Sequence, residues 1–184
     1  MNFNKFIEGE KIYLREVKSE DANEEYYNWM NDPEIVQFLE TRFIPQSISN
    51  IKKFIENKDG NLNEILFAIC IKENNKHIGN IKLGPINWIH RKGDISLVIG
   101  DKNYWGKGIA TEAIGLVVEF AFYNINLNKV NAGYYFSNIG SGKAFEKCGF
   151  RIEGNFEQEV FYKGKYINTI RVGLTKNNYE SNKK

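Results

Sequence analysis

Residues 95–114 read Ile-Ser-Leu-Val-Ile-Gly-Asp-Lys-Asn-Tyr-Trp-Gly-Lys-Gly-Ile-Ala-Thr-Glu-Ala-Ile, an apolar run entering a glycine loop that opens a helix. N–H groups at a helix start have no intrahelical acceptor, and a loop of this kind can hold a phosphate. Spacing discriminates between the known versions. A Walker A loop has four residues between its first glycine and Gly-Lys-[Ser/Thr], whereas five separate Gly100 from Gly106, and Gly108 follows Lys107. That excludes a nucleoside-triphosphate loop. A dinucleotide loop of the form G-x-G-x-x-G/A calls for Gly or Ala where this chain has Thr111, which weakens the second option. A turn that simply requires small residues between strand and helix remains open at this point.

Other reactive side chains are sparse. Cys70 and Cys148 fall on a predicted strand and at a predicted helix end without zinc-like spacing, so buried free thiols are expected. With two histidines, His77 and His90, a histidine-rich metal site is not expected. Against 23 acidic residues stand 25 basic ones, a net charge of +2 that does not suit a dedicated nucleic-acid binder. The 184 residues, 42% hydrophobic and 14% aromatic, suit one globular domain. No window approaches the ~20 apolar residues of a membrane span, and the opening residues lack the apolar core of a signal peptide. A cytoplasmic protein without membrane partners is expected.

The elements that must position the loop follow from periodicity. A strand over 11–17 precedes a helix running from Ser19 to about Met30, which Asn31-Asp32-Pro33 stops. A second helix starts at Ser47 or Ser49, carries Ile48, Ile51, Phe54 and Ile55 on one face, and ends near Gly60. Strands over 65–71, 78–83 and 94–99 form an antiparallel meander. A helix over 109–123, a strand over 129–136, a short helix over 139–148 and a hairpin of 156–162 with 166–174 complete the chain. The expected architecture is α+β: one domain over 1–176 with a mixed, mostly antiparallel sheet, about four flanking helices and a polar tail over 177–184. The crossover helix should leave strands 94–99 and 129–136 parallel.

This order, with Trp105-Gly-Lys-Gly-Ile-Ala-Thr-Glu-Ala113 at one helix and Asn138-Ile-Gly-Ser141 followed by Phe145-Glu-Lys-Cys-Gly-Phe150 at the next, resembles the GNAT superfamily of acetyl-CoA-dependent N-acetyltransferases. It is most similar to the RimJ/RimL branch, from Tyr13-Leu-Arg-Glu16 through Trp29-Met-Asn-Asp-Pro-Glu34 to Tyr162-Lys-Gly-Lys-Tyr166. The resemblance implies acetyl-CoA as cosubstrate, no metal, and a pyrophosphate held by Trp105, Gly106, Lys107, Gly108, Ile109, Ala110 and Thr111. It further implies a pantetheine arm paired with the main chain of Leu97, Val98 and Ile99, and a contact from Asn138. Many relatives carry a tyrosine acid at the position of Phe145; Ser141 is then the expected substitute. Asp94 and Glu159 are the candidate bases, and Trp29, Phe38, Tyr134 and Tyr162 the expected acceptor lining. The implied reaction is direct attack of a primary amine on the thioester in a ternary complex. The expected acceptor is the amino group of a nucleotide-linked amino sugar or a protein N-terminus; a polyamine, or a non-catalytic acetyl-CoA sensor, is the alternative. A homodimer is possible in this family.

Overall fold

In the computed structural model, residues 5–183 are described. Residues 1–4, read above as the start of a chain without a leader, and Lys184 lie outside them. Eight strands form one sheet: β1 (Ile7–Glu8), β2 (Ile12–Glu16), β3 (Ile65–Ile71), β4 (His77–Asn87), β5 (Lys92–Ile99), β6 (Lys129–Tyr135), β7 (Arg151–Tyr162) and β8 (Lys165–Thr175). Their order is β1-β2-β3-β4-β5-β6-β8-β7, antiparallel at every junction except β5 with β6. The helices are α1 (Glu24–Asn31), α2 (Pro33–Val36), α3 (Ile48–Glu56), α4 (Ile109–Glu119), α5 (Ile139–Lys147) and α6 (Lys176–Asn182). The mixed α+β sheet is as the sequence predicts, with six helices among the described residues where about four were expected.

The alternation of β2 assigns the sheet's two faces. Ile12 and Leu14 join the main core with Ile69, Ile81 and the α4 residues Ala113, Ile114, Val117 and Val118, while Tyr13 turns to the other face beside Ala68 and Cys70. Each large apolar side chain buried this way contributes about 1.5–3 kcal/mol. Glu112 ties α4 to the sheet: its Oε1 accepts from the N–H groups of Lys11 at 2.9 Å and Ile12 at 3.2 Å. On the opposite face Tyr26, Trp29, Ile51 and Ile55 join α1 to α3. Ile48 and Phe54, expected on the same apolar face of α3, are exposed. Arg15, 4% exposed, makes two bonds of 2.7 Å to Asp21 in a 3-10 turn over Ser19–Asp21. That turn and α1 replace the single helix predicted from Ser19.

Two irregularities shape the functional region. β5 and β6 pair only over Lys92–Asp94 with Lys129–Asn131, although β5 continues to Ile99 and β6 to Tyr135. Beyond Asp94 the two strands therefore part into a wedge. Opposite Asp94, β4 bulges: Leu83 faces Ile95 and Ile86 faces Gly93, so Gly84 and Pro85 oppose one residue. The segment read as a polar tail continues as α6, with the Thr175 side chain accepting from the N–H of Asn178 and the Tyr179 ring 5.5 Å from that of Phe122.

Candidate active site

The wedge opens into a cavity of about 1030 Å³. One arm is bounded by β5, the loop that follows it and the first turns of α4 and α5. The other is bounded by residues 34–40, β7 and β8.

Backbone geometry makes the first arm. Gly106 and Gly108 adopt φ of +73° and +82°, a left-handed conformation costly for residues with a Cβ, and Gly108 is the N-cap of α4. A Cβ on either would meet no atom within 4 Å beyond its own chain neighbours, so these glycines leave room beside the loop. The first helical bond runs from the N–H of Glu112 to the carbonyl of Gly108 at 3.0 Å. Among the described residues, the N–H groups of 106–111 donate to nothing. Consecutive unpartnered donors at the positive end of a helix form an anion nest. Residues Trp105, Gly106, Gly108, Ile109, Ala110 and Thr111 all line the cavity. Lys107 does not; its ammonium lies 5.6 Å from the centre of the Tyr104 ring. Trp105 bonds inward as well, donating from its indole N–H to the Ile99 carbonyl at 2.9 Å and closing the loop onto the end of β5.

Strand register separates the three β5 residues expected to carry the pantetheine arm. The N–H of Gly100 donates to the Ile78 carbonyl at 2.8 Å, and Val98 lies opposite Asn80. With a two-residue alternation, Val98 turns its main chain to β4, while Leu97 and Ile99 turn theirs to the wedge. The Ile99 carbonyl is already engaged by Trp105. The expectation of a main-chain role for Val98 is therefore corrected by register, and Leu97 stands as the open position.

At the head of α5, the Asn138 side chain accepts from the N–H of Ser141 at 3.1 Å, capping the helix. Asn138, Ser141 and Phe145 line the cavity, with Phe145 2% exposed and 5.0 Å from the ring of Phe150.

In the second arm the two carboxylates differ. Asp94 accepts from Arg171 at 2.9 Å and from Asn131 at 3.4 Å. Glu159 accepts from the Thr169 hydroxyl, and no ion pair engages it among the described residues. Phe38 lines the cavity and stacks on Tyr162 with centroids 5.4 Å apart; Tyr162 packs behind it, its hydroxyl donating to Gln37 at 2.9 Å. Trp29 is not in this lining. At 5% exposure it sits in the α1–α3 core, against Gly100, where a Cβ would fall 2.0 Å from its ring. Its expected acceptor contact is corrected: the tryptophan fixes the entrance to the loop.

Arg171, Thr169, Tyr135 and Lys143 join the lining without having been singled out from sequence. The first two are two residues apart on β8, so strand alternation carried a signal for them once one was assigned. The Tyr135 hydroxyl donates to Glu40 and accepts from Arg42 at 2.8 Å, a contact spanning more than 90 residues that no local pattern reveals.

An anion nest at a helix start beside a parted parallel strand pair fits a ligand that combines a pyrophosphate with an extended amide chain. Comparison with known proteins agrees, since residues 11–151 match the acetyltransferase (GNAT) domain model. The chain belongs to the GNAT acetyltransferase family. It is 28% identical to the uncharacterized N-acetyltransferase p20 of Bacillus licheniformis, over 92% of this chain and 96% of that protein. It is 33% identical to the spermidine N(1)-acetyltransferase of Escherichia coli K12, over 55% of this chain and 54% of that one. The spermidine N-acetyltransferase from Vibrio cholerae, solved with CoA and spermine, has the same fold: TM-score 0.83, 24% identity, 92% of this chain and 98% of that chain covered. This GNAT protein is thus an acetyl-transferring enzyme of the N-acetyltransferase kind, in a family that uses acetyl-CoA. Among the described residues no helix is long and apolar enough to cross a membrane, and no cluster of three His, Cys, Asp or Glu side chains could hold a metal ion.

Proposed function

We propose that this enzyme transfers the acetyl group of acetyl-CoA to a primary amine of a cationic, polyamine-like acceptor by direct attack in a ternary complex. The observation that carries the reading is the division of charge along one cavity. Unpartnered N–H groups and Lys143 and Lys147 of α5 border the arm beside the loop, whereas Glu34, Glu40, Asp94 and Glu159 border the other. Glu34, Glu40 and Asp94 are paired with Lys102, Arg42 and Arg171, so Glu159 is the one of the four without an ion pair among the described residues. Two spermidine acetyltransferases among the proteins it resembles support the same acceptor class. The nucleotide-linked amino sugar and the protein N-terminus have less support. The cation that β8 places in the acceptor arm, Arg171, is already bound to Asp94, leaving little to meet a sugar nucleotide's phosphates.

In this reading the N–H groups of 106–111 hold the pyrophosphate, and the N–H of Leu97 polarises the thioester carbonyl, a contact that strengthens as the oxygen gains charge. Glu159 receives the amine and passes its proton to solvent, while Asp94, fixed by Arg171, shapes the floor of the wedge. Ser141 offers a hydroxyl to the sulfur. A RimJ/RimL-like placement rests on Trp105 and Phe145. The test is thiol release from acetyl-CoA with spermidine, spermine, amino sugars and peptides as acceptors. Saturable release with the polyamines is expected. Acetylation of amino sugars or peptides with none of the polyamines would overturn the acceptor class, and acetyl-CoA binding without any turnover would favour a sensor.

A further inference from the structure

The departing CoA thiolate needs a proton, and the cavity holds few groups able to give one. A thiol pKa near ~8.5 is matched by a phenol near ~10 or an ammonium near ~10.4, whereas a serine hydroxyl is a far weaker acid. The lysines of the lining, Lys143 and Lys147, are exposed on α5, which leaves the phenols. Among the tyrosines of the lining, the Tyr135 hydroxyl is committed to Glu40 and Arg42, and Tyr104 lies under Lys107 beside the loop. Tyr134 remains. It stands on β6, one wall of the wedge, and no described residue hydrogen-bonds its hydroxyl.

Its position is built in. A Cβ on Gly142, in the middle of α5, would lie 3.0 Å from the hydroxyl and from two ring carbons of Tyr134. Glycine inside a helix costs about 1 kcal/mol relative to alanine, and here it lets the ring seat against the helix. Ser141 and Phe145 of that helix line the same cavity. Burial, with Glu146 nearby, raises the Tyr134 pKa, so the phenol stays protonated at neutral pH.

We propose that Tyr134, seated by Gly142, is the acid that protonates the leaving thiolate. The inference rests on the acetyltransferase reading above. As the amine nitrogen bonds to the acetyl carbon and the C–S bond breaks, the electron pair goes to sulfur and the Tyr134 proton follows it. The phenolate then regains a proton, through solvent, from the nitrogen that has become the amide.

The test is Tyr134→Phe, which keeps the ring and its packing. With acetyl-CoA and spermidine, kcat should fall about 10- to 100-fold, while the acetyl-CoA Kd by calorimetry and the melting temperature stay at wild-type values. A helical side chain covers the turn before its own Cα, so a phenol introduced at 145 reaches toward 141–142. Phe145→Tyr in the Tyr134→Phe background should therefore recover at least 10-fold of the lost kcat. An active wild type with Tyr134→Phe within twofold of its kcat overturns the assignment alone. A wild type that releases no thiol with any amine overturns the enzymatic reading and the assignment together.

Discussion

The two arms of the cavity are made of different material. The arm assigned to the acetyl donor is main chain: parted strands, a loop with two left-handed glycines, and unpartnered N–H groups at a helix start. The arm assigned to the acceptor is side chain: carboxylates, stacked rings and a buried threonine brought together from residues 34–40, β7 and β8. A main-chain site recognises what all CoA thioesters share and tolerates many side chains, provided the backbone keeps its shape. A side-chain site recognises one acceptor and changes with single substitutions.

The comparison predicts where each kind of damage falls. Gly108→Val forces a β-branched residue into φ +82° and fills the open side of the loop, so acetyl-CoA affinity should drop about 100-fold. Titration calorimetry reads it, and an unchanged Kd would break the main-chain account of the donor arm. Glu159→Gln should lower kcat/KM for spermidine about 10- to 30-fold with no change in acetyl-CoA affinity. A loss shared by both substrates would show that the arms are not separate. Trp105→Phe removes the indole donor to Ile99, a bond worth about 0.5–1.5 kcal/mol, and should lower the melting temperature by roughly 2–4 °C while weakening acetyl-CoA a few-fold at most. Lys107→Ala should change acetyl-CoA affinity less than about twofold, because its ammonium lies over Tyr104 in exposed surroundings. A tenfold loss would assign the loop a charge contribution as large as its geometry.

The same division governs what could be read from the chain alone. The donor loop is legible because a left-handed turn selects glycine and a helix start has its own pattern, both local in sequence. The parallel pair β5 and β6 follows from the crossover helix. The acceptor arm is not local. Trp29 and Phe38 are nine residues apart and equally aromatic, yet one fills the core behind Gly100 and the other lines the cavity. Asp94 and Glu159 look alike until Arg171, 77 residues beyond Asp94, occupies one of them. Val98 fails for a subtler reason, since its parity depends on the register with β4. α6 escapes notice because Lys-Asn-Asn-Tyr-Glu-Ser-Asn has little apolar content; its Thr175 cap and the packing of Tyr179 hold it in place.

The central claim is that acetyl-CoA lies in the parted β5–β6 wedge with its pyrophosphate on main-chain donors and its acetyl group toward the carboxylate arm. A crystal structure of the acetyl-CoA complex tests it most directly. The account predicts the pyrophosphate within hydrogen-bonding distance of N–H groups from 106–111 and the thioester oxygen on the N–H of Leu97. A cofactor lying outside the wedge, or one whose acetyl group points away from Glu159, would contradict it.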